Sequence, residues 1–208
     1  MVNLAARFHD AKWLLSKGYS PSVYLFRNLE SGQVIYSQFP YFAERQIKKQ
    51  FQRPNWQNRL PSTRKDIWRI MSVVSFDNHE KAVDAYNALV ELRHLRDVGQ
   101  KKLANSFRKK NEDGNIWYSA QYRPTWTQES VADLTTVIDE LKLENTKIFW
   151  EDLWRKGDDK YWNQELVEHR QLEKFSPREE SVVLKRLGEK VKAEFALLKE
   201  SQNAETLS

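Results

Sequence analysis

Near the start of the chain, hydrophobic residues form two short runs that are separated by polar turn residues. The runs at 23–26 and 34–36 are rich in valine, isoleucine, tyrosine and phenylalanine, which favour strands. The segment between them includes Asn-Leu-Glu-Ser-Gly and ends at Gly32, which can adopt a positive φ. Pro40 follows and cannot donate to a strand ladder. The pattern therefore predicts a β-hairpin over residues 23–39.

Beyond the hairpin, the hydrophobic positions repeat first at helical spacing and then as a strand-like run. They predict a helix over 42–51, which the proline at 54 ends, and a strand over 67–76. Asp77 with Glu80 forms a capping-box pattern, and apolar residues continue at helical spacing behind it. This helix leads into a strongly basic tail.

In the last third of the chain, helix-start signals flank an aromatic segment. Ser130 with Asp133 predicts the start of one helix, and Ser176, followed by proline and by a glutamate at the third helical position, predicts the start of the last. Residues 148–162 between these helices mix five aromatic side chains with four acidic ones.

These elements predict an α+β fold with an N-terminal hairpin or small sheet, packed helices and a helical C-terminal extension. We place a boundary near residue 145. Residues 1–145 would then form an α+β nucleic-acid-binding core, and residues 146–208 an extension made of the aromatic-acidic segment and the C-terminal helix.

Charge is distributed unevenly along the chain. The net charge is +5, yet the stretch from Arg45 to Lys110 holds sixteen Lys or Arg against six Asp or Glu, so that its balance is +10. A positive middle with more acidic flanks is typical of a surface that binds a polyanion. The alternative is a solvated basic surface. The Trp and Tyr residues among these cations favour the polyanion, because aromatic rings stack on bases.

The candidate nucleic-acid contacts form three groups. The first surrounds Trp56, for which a core position is the alternative; the second follows the helix that begins at 77, and the third lies just before Pro124. Arginine and lysine would meet phosphates, and an aromatic ring would stack on a splayed base. The predicted RNA-binding residues are Lys48, Lys49, Arg53, Trp56, Arg59, Arg64, Lys65, Arg93, Arg96, Lys101, Lys102, Arg108, Lys109, Lys110, Tyr122 and Arg123.

Several other kinds of chemistry lack the residues they need. The chain has no cysteine, which excludes disulfides and thiolate zinc sites, and its six glycines are too widely spaced for a P-loop or a dinucleotide fingerprint. The acidic pairs at 151–152 and 158–159 could hold Mg²⁺, but adjacent side chains point different ways. We predict no enzymatic activity, no cofactor, no metal and no membrane span.

Several motifs occur in the order seen in one known family. They include the hairpin at 23–40, Arg-Pro-Asn-Trp-Gln-Asn-Arg at 53–59, Leu-Arg-His-Leu-Arg-Asp at 92–97 and Trp-Glu-Asp-Leu-Trp-Arg at 150–155. In these motifs the chain resembles the fungal mitochondrial large-subunit ribosomal protein family, which is also described as the mitochondrial homologous recombination protein.

This resemblance implies a mitochondrial matrix protein that binds large-subunit ribosomal RNA and neighbouring mitoribosomal proteins. The family is also credited with ATP-independent pairing of homologous DNA and with a role in mitochondrial transcription, which implies single- and double-stranded DNA as further partners. Two functional hypotheses follow. The first is a structural protein of the mitochondrial large subunit with a second role in DNA recombination. The second is a DNA-pairing and transcription-regulating protein that acts off the ribosome, at the nucleoid.

A second, fainter similarity concerns the fold. Tyr24 and Tyr36 on a hairpin, followed by a helix with Arg45, a strand and another helix, resemble a degenerate GIY-YIG nuclease. In those enzymes a helical glutamate binds the metal and the hairpin tyrosines assist catalysis. Tyr86 stands near the position expected for that glutamate. This resemblance implies a shared fold with its metal ligand missing, and a nuclease is a third hypothesis.

Overall fold

The computed structural model describes residues 7–52, 59–118 and 126–206, with side chains described as far as residue 197. It confirms the α+β class. Within these ranges the helices and strands are, in chain order, α1 (Ala11–Ser16), β1 (Ser22–Asn28), β2 (Val34–Ser37), α2 (Glu44–Gln50), β3 (Trp68–Ser75), α3 (His79–Asp97), α4 (Lys101–Ser106), α5 (Trp126–Glu140), β4 (Thr146–Trp150), β5 (Val167–Gln171) and α6 (Glu180–Thr206).

The five strands form one sheet in the order β2-β1-β3-β4-β5. The predicted hairpin is confirmed: β1 and β2 pair antiparallel, with Leu25 opposite Tyr36, and Gly32 has φ 72° in the turn. Every pair is antiparallel except β4 and β5, which run parallel with Ile148 opposite His169. Because β3 pairs with β4, the same sheet extends across the predicted boundary near residue 145.

Helices cover both faces of the sheet, which explains why β1 and β3 read as nearly continuous hydrophobic runs. On one face, residues of α3 and α5 such as Leu89 and Leu134 join a cluster with Leu25 and Trp150. On the other face, α2 and α6 pack against the alternate side chains of the strands, among them Phe26. The sheet is therefore the rigid centre that positions the loops at its ends.

The predicted start of α3 is displaced by one residue. Asn78 is the N-cap, and its side-chain oxygen accepts a hydrogen bond from the N–H of Lys81 (2.8 Å). Asp77 instead pairs with the ammonium group of Lys81 at 2.7 Å. Aspartate and asparagine are both common N-cap residues, so the sequence alone does not decide which of the two caps the helix.

The predicted start of α5 at Ser130 and Asp133 is wrong, because α5 already includes Trp126. The Ser130 hydroxyl donates to the carbonyl of Trp126 one turn earlier (3.1 Å), and Asp133 is fully buried. The predicted start of α6 at Ser176 is four residues early: the Glu179 carboxylate does accept hydrogen bonds from the N–H and the hydroxyl of Ser176, but these close a turn, and the helix itself begins at Glu180. Ser and Asp can hydrogen-bond inside a helix as well as cap it.

Candidate nucleic-acid interface

Several connecting segments meet at one end of the sheet, the end at which β1 turns into β2. We term it the hairpin end and define it by the turn at 28–33. Because β3 is antiparallel to both β1 and β4, β3 begins at this end and β4 finishes there. The last turn of α3 and the first turn of α5 also reach it, since Arg96 and Trp126 line a small cavity together with Gln33.

The basic loop at 59–67 is held against the hairpin end by side chains of the core. The Gln33 amide donates to the carbonyl of Arg59 (2.7 Å), and the Trp68 indole donates to the carbonyl of Ser62 (2.9 Å). Trp68 itself is buried. The fold therefore fixes the backbone of the loop while its charged side chains lie in solvent.

Three of the predicted contacts, Arg59, Arg64 and Lys65, are exposed on this loop. Arg59 and Lys65 have no hydrogen-bond or ion-pair partner among the described residues. Arg64 pairs with Asp66 at 2.6 Å, and this hydrogen bond lowers the pKa of the Asp66 carboxyl. Such an exposed pair is weak and screened by salt, so that Arg64 can exchange its carboxylate for a phosphate.

Four further predicted contacts, Arg53, Trp56, Tyr122 and Arg123, lie outside the described residues. The first two lie between Gln52 and Arg59, and the other two lie between Tyr118 and Trp126. Phe51 and Trp126 both line the cavity next to Gln33. One described flank of each segment therefore lies at the hairpin end, where the loop at 59–67 also lies.

The cations of α2 and α4 are exposed. Lys48 and Lys49 lie on the outward side of α2, and Lys48 forms a surface ion pair at 2.6 Å with the glutamate one turn before it. Lys101 and Lys102 on α4, and Lys110 beyond it, are exposed without a described partner. All five lie on the surface of the described fold, where a polyanion can reach them.

Arg93 must be removed from the predicted interface, because the structure places it in the interior with 7 % of its surface exposed. Its guanidinium group lies 4.2 Å from the ring centre of Tyr36 and 5.0 Å from that of Phe51. It also donates to the side-chain oxygen of Gln50 (2.9 Å). These contacts make Arg93 a core residue that joins α3 to β2 and α2.

Arg96 and Arg108 must also be removed, because both are bound to the buried carboxylate of Asp133. Arg96 donates to its two oxygens at 2.7 and 2.6 Å, and Arg108 donates to one of them at 2.9 Å. Burial alone would raise the pKa of Asp133, but the two arginines outweigh it and hold the pKa below its ordinary value. The three side chains form an internal ionic cluster that ties α3 and the segment after α4 to α5.

Lys109 is half-buried and has internal partners as well. Its ammonium group pairs with Asp139 at 2.6 Å and donates to the carbonyl of Tyr161. Lys109 therefore connects α5 to the segment between β4 and β5. Its availability to RNA is lower than that of Lys110 beside it.

The most exposed tryptophan of the described residues, Trp154, is absent from the predicted contacts. It is 68 % exposed in a short turn after β4, and Arg155 lies 4.5 Å from its ring centre. By contrast, Trp150 and Trp162 of the same segment are buried. Hydrophobic spacing does not separate these three tryptophans. The charged pairs at 151–152 and 155–156, which enclose Leu153 and Trp154, are the one signal that could have done so.

The tyrosines that resemble those of GIY-YIG enzymes are buried. The hydroxyl of Tyr24 lies 3.1 Å from that of Ser20, and Tyr36 lies under Arg93. Burial raises the pKa of both tyrosines, which disfavours a phenolate. Tyr86, at the position expected for the metal-binding glutamate, has no carboxylate. Among the described residues no group of three or more histidine, aspartate or glutamate side chains could hold a metal ion.

None of the described helices is both long enough and apolar enough to cross a membrane.

The fold and this surface together define a basic α+β protein with a cationic loop at one end of its sheet. Residues 20–103 match the family model described as transcriptional regulation of mitochondrial recombination. The chain is 59 % identical over 177 residues to large ribosomal subunit protein mL67 of Candida albicans, an alignment that covers 85 % of this chain and 74 % of that protein.

Two further relatives carry the same name. The chain is 54 % identical to large ribosomal subunit protein mL67 of Debaryomyces hansenii, with 90 % of this chain and 80 % of that protein covered. It is 55 % identical to that of Eremothecium gossypii, with 92 % of each chain covered. The chain belongs to the mL67 family of large ribosomal subunit proteins, which confirms the resemblance drawn from its motifs.

Proposed function

We propose that this protein is a structural component of the mitochondrial large ribosomal subunit and binds ribosomal RNA through the hairpin end. The observation that carries the proposal is the membership of the mL67 family, at 59 % identity over most of the chain. The protein acts in the mitochondrial matrix. Its contribution is binding and positioning, with neighbouring ribosomal proteins as further partners, rather than catalysis.

The hairpin end supplies what RNA recognition needs. Arg59, Arg64 and Lys65 present three cations on a loop whose backbone is fixed, so that little ordering is required when phosphates bind. Trp154 presents an exposed ring on another loop at the same end, and an aromatic face of this kind stacks on an unpaired base. In this proposal residues 1–145 carry the main RNA contacts, and residues 146–208 dock on RNA or on a neighbouring protein.

Charge reversal of the loop tests the proposal. The variant Arg59→Glu, Arg64→Glu, Lys65→Glu should bind large subunits roughly tenfold more weakly or worse, because three phosphate contacts become repulsive. Sucrose-gradient sedimentation of mitochondrial lysate at several salt concentrations measures the effect. Co-sedimentation equal to that of the unmodified protein at every salt concentration would exclude the loop from the interface.

The matched control reverses the same amount of charge elsewhere. Lys12, Lys17 and Lys142 are exposed, have no described partner and lie at the opposite end of the sheet. Their replacement by glutamate should leave sedimentation with the large subunit nearly unchanged. A loss equal to that of the loop variant would mean that net charge, rather than the hairpin end, governs the association.

A second role in DNA recombination or transcription is favoured by a separate observation. The matched family model, described as transcriptional regulation of mitochondrial recombination, spans residues 20–103 and thus includes the hairpin and the loop at 59–67. We propose that this part of the chain binds single- and double-stranded DNA when it is off the ribosome. Fractionation of the protein between ribosomes and nucleoids distinguishes the two roles. A protein absent from nucleoids would have no DNA role there.

A further inference from the structure

The two edge strands of the sheet, β2 and β5, differ in whether their outward backbone groups have hydrogen-bond partners. At the β2 edge, the N–H of Tyr36 donates to the side-chain oxygen of Gln50 (2.9 Å). The carbonyl of Tyr36 accepts from the amides of Gln46 (2.7 Å) and Gln50 (2.6 Å). Free backbone groups on an edge strand are a template for pairing with another chain. The glutamines of α2 occupy those groups at β2.

Among the described residues, no side chain covers the β5 edge in this way. The carbonyl of Leu166 accepts a hydrogen bond from the N–H of Thr146 (3.0 Å), and the N–H of Leu172 donates to the carbonyl of Trp150 (2.8 Å). The even-numbered residues of this stretch therefore direct their backbone groups to β4. Alternate residues of a strand direct these groups to opposite sides. His169 and Gln171 therefore direct their N–H and C=O groups outward, where no described residue bonds them.

A groove lies beside this open edge, between β5 and α6. Its floor is apolar, with Phe149, Leu172 and Leu187 among its lining residues, and its volume is about 370 Å³. Three cations line it: Arg170 and Arg186, which are paired with Glu168 at 2.7 Å and with Glu173 at 2.8 Å, and Lys190, which has no described partner. The groove can thus receive apolar side chains, and Lys190 can receive a carboxylate.

We propose that an extended segment of a neighbouring protein of the large subunit pairs with β5 as a sixth strand. Its backbone would bond the outward groups of His169 and Gln171. Alternate side chains of that segment would enter the groove beside α6, and an acidic residue would meet Lys190. The proposal rests on the proposed ribosomal function.

The chemistry of the edge favours a polypeptide over RNA. The outward groups alternate donor and acceptor at the spacing of a β-strand, which another extended backbone matches. The groove floor offers apolar surface, and two of its nearby cations are already neutralised, Arg170 by Glu168 and Arg186 by Glu173. A phosphate backbone gains little from such a surface.

A proline substitution at Gln171 tests the backbone contact. Gln171→Pro removes the outward N–H, and it also removes the side-chain bonds to Leu153 and Glu151. Gln171→Ala removes the same side-chain bonds but keeps the N–H, which makes it the matched control. In sucrose gradients Gln171→Pro should occupy large subunits at least threefold less than Gln171→Ala. Equal occupancy of the two folded variants would overturn the proposal.

The unmodified protein gives an independent test. Electron cryomicroscopy of native mitochondrial large subunits should show an extended polypeptide hydrogen-bonded to His169 and Gln171. RNA, a second copy of this chain or bulk solvent along β5 would each overturn the proposal. In these cases the protein is still present on the subunit, so the proposed function survives. If the protein is absent from large subunits, the proposed function fails as well.

Discussion

Asp133 lies inside α5 and binds guanidinium groups from two other parts of the chain. Replacing it by asparagine keeps its shape but removes the charge that offsets Arg96 and Arg108, both of which are buried. We expect Asp133→Asn to lower the free energy of unfolding by about 3–5 kcal/mol, because an unpaired buried charge is costly. Urea denaturation measures this difference. Asp139→Asn, which breaks the more exposed pair with Lys109, is the control and should cost less than about 1 kcal/mol.

His169 makes the stability of the fold depend on pH. Its Nδ1 accepts from the Trp150 indole (3.0 Å), and burial, with the nearby Lys156 charge, lowers its pKa to about 4. In the unfolded chain His169 takes up a proton near pH 6.5, whereas in the folded chain it does so only near pH 4. The stability that neutral His169 contributes to the fold is therefore fully present above about pH 6.5 and is lost as the pH falls from there through about 4. We expect the urea midpoint to fall across this window. His169→Gln should make that fall shallower, and an unchanged slope would contradict the assignment.

At the scale of elements, local signals predict more than long-range pairing does. The hairpin follows from strand-forming runs around Gly32, and the turn that leads into α6 follows from the Ser176 pattern, because each is decided by a few neighbouring residues. The parallel pairing of β4 with β5 is not predicted, since the chain leaves the sheet between them. The pattern of Ser130 and Asp133 predicts the helix start wrongly, because Asp133 binds arginines that lie 37 and 25 residues away in the sequence.

The glutamines on α2 give an element-scale prediction. In the double variant Gln46→Ala, Gln50→Ala, the backbone groups of Tyr36 and one donor of Arg93 lose their partners. We expect a loss of about 2–4 kcal/mol in unfolding free energy, because buried polar groups are left unsatisfied. We also expect concentration-dependent self-association through the uncovered β2 edge, which analytical ultracentrifugation would detect.

The control for this variant replaces two exposed glutamines, Gln52 and Gln100, by alanine. It removes as many amides while leaving the β2 edge covered, and it should change neither quantity measurably. If the α2 variant remained monomeric at every concentration, the glutamines would stabilise the fold without protecting its edge.

At the scale of the whole molecule, the count of charged residues along the sequence locates the basic region of the candidate interface, but it does not identify which of those residues can contact RNA. Arg59 and Arg93 both belong to the basic middle of the chain. Arg59 lies on a loop in solvent, whereas Arg93 lies between the rings of Tyr36 and Phe51. Only the fold determines which cations already have a buried partner. The same holds for Trp154, whose exposure results from the turn after β4.

This distinction predicts how salt should act on RNA binding. Two triple variants lower the net charge equally: glutamine at Arg59, Arg64 and Lys65, or glutamine at three cations of the opposite end, Lys12, Lys17 and Lys142. Each phosphate contact contributes about 0.7–0.9 to the slope of log affinity against log salt. We therefore expect the first variant to reduce that slope by about 2–3 and the second to leave it nearly unchanged.

Fluorescence anisotropy with a large-subunit ribosomal RNA transcript, between about 50 and about 200 mM salt, measures both slopes. Equal reductions in the two variants would show that attraction depends on the summed charge of the molecule. A reduction confined to the variant of the 59–67 loop would show that phosphates contact the hairpin end. In that case the excess positive charge of the middle region acts through the cations that the fold leaves exposed, and the buried arginines serve stability.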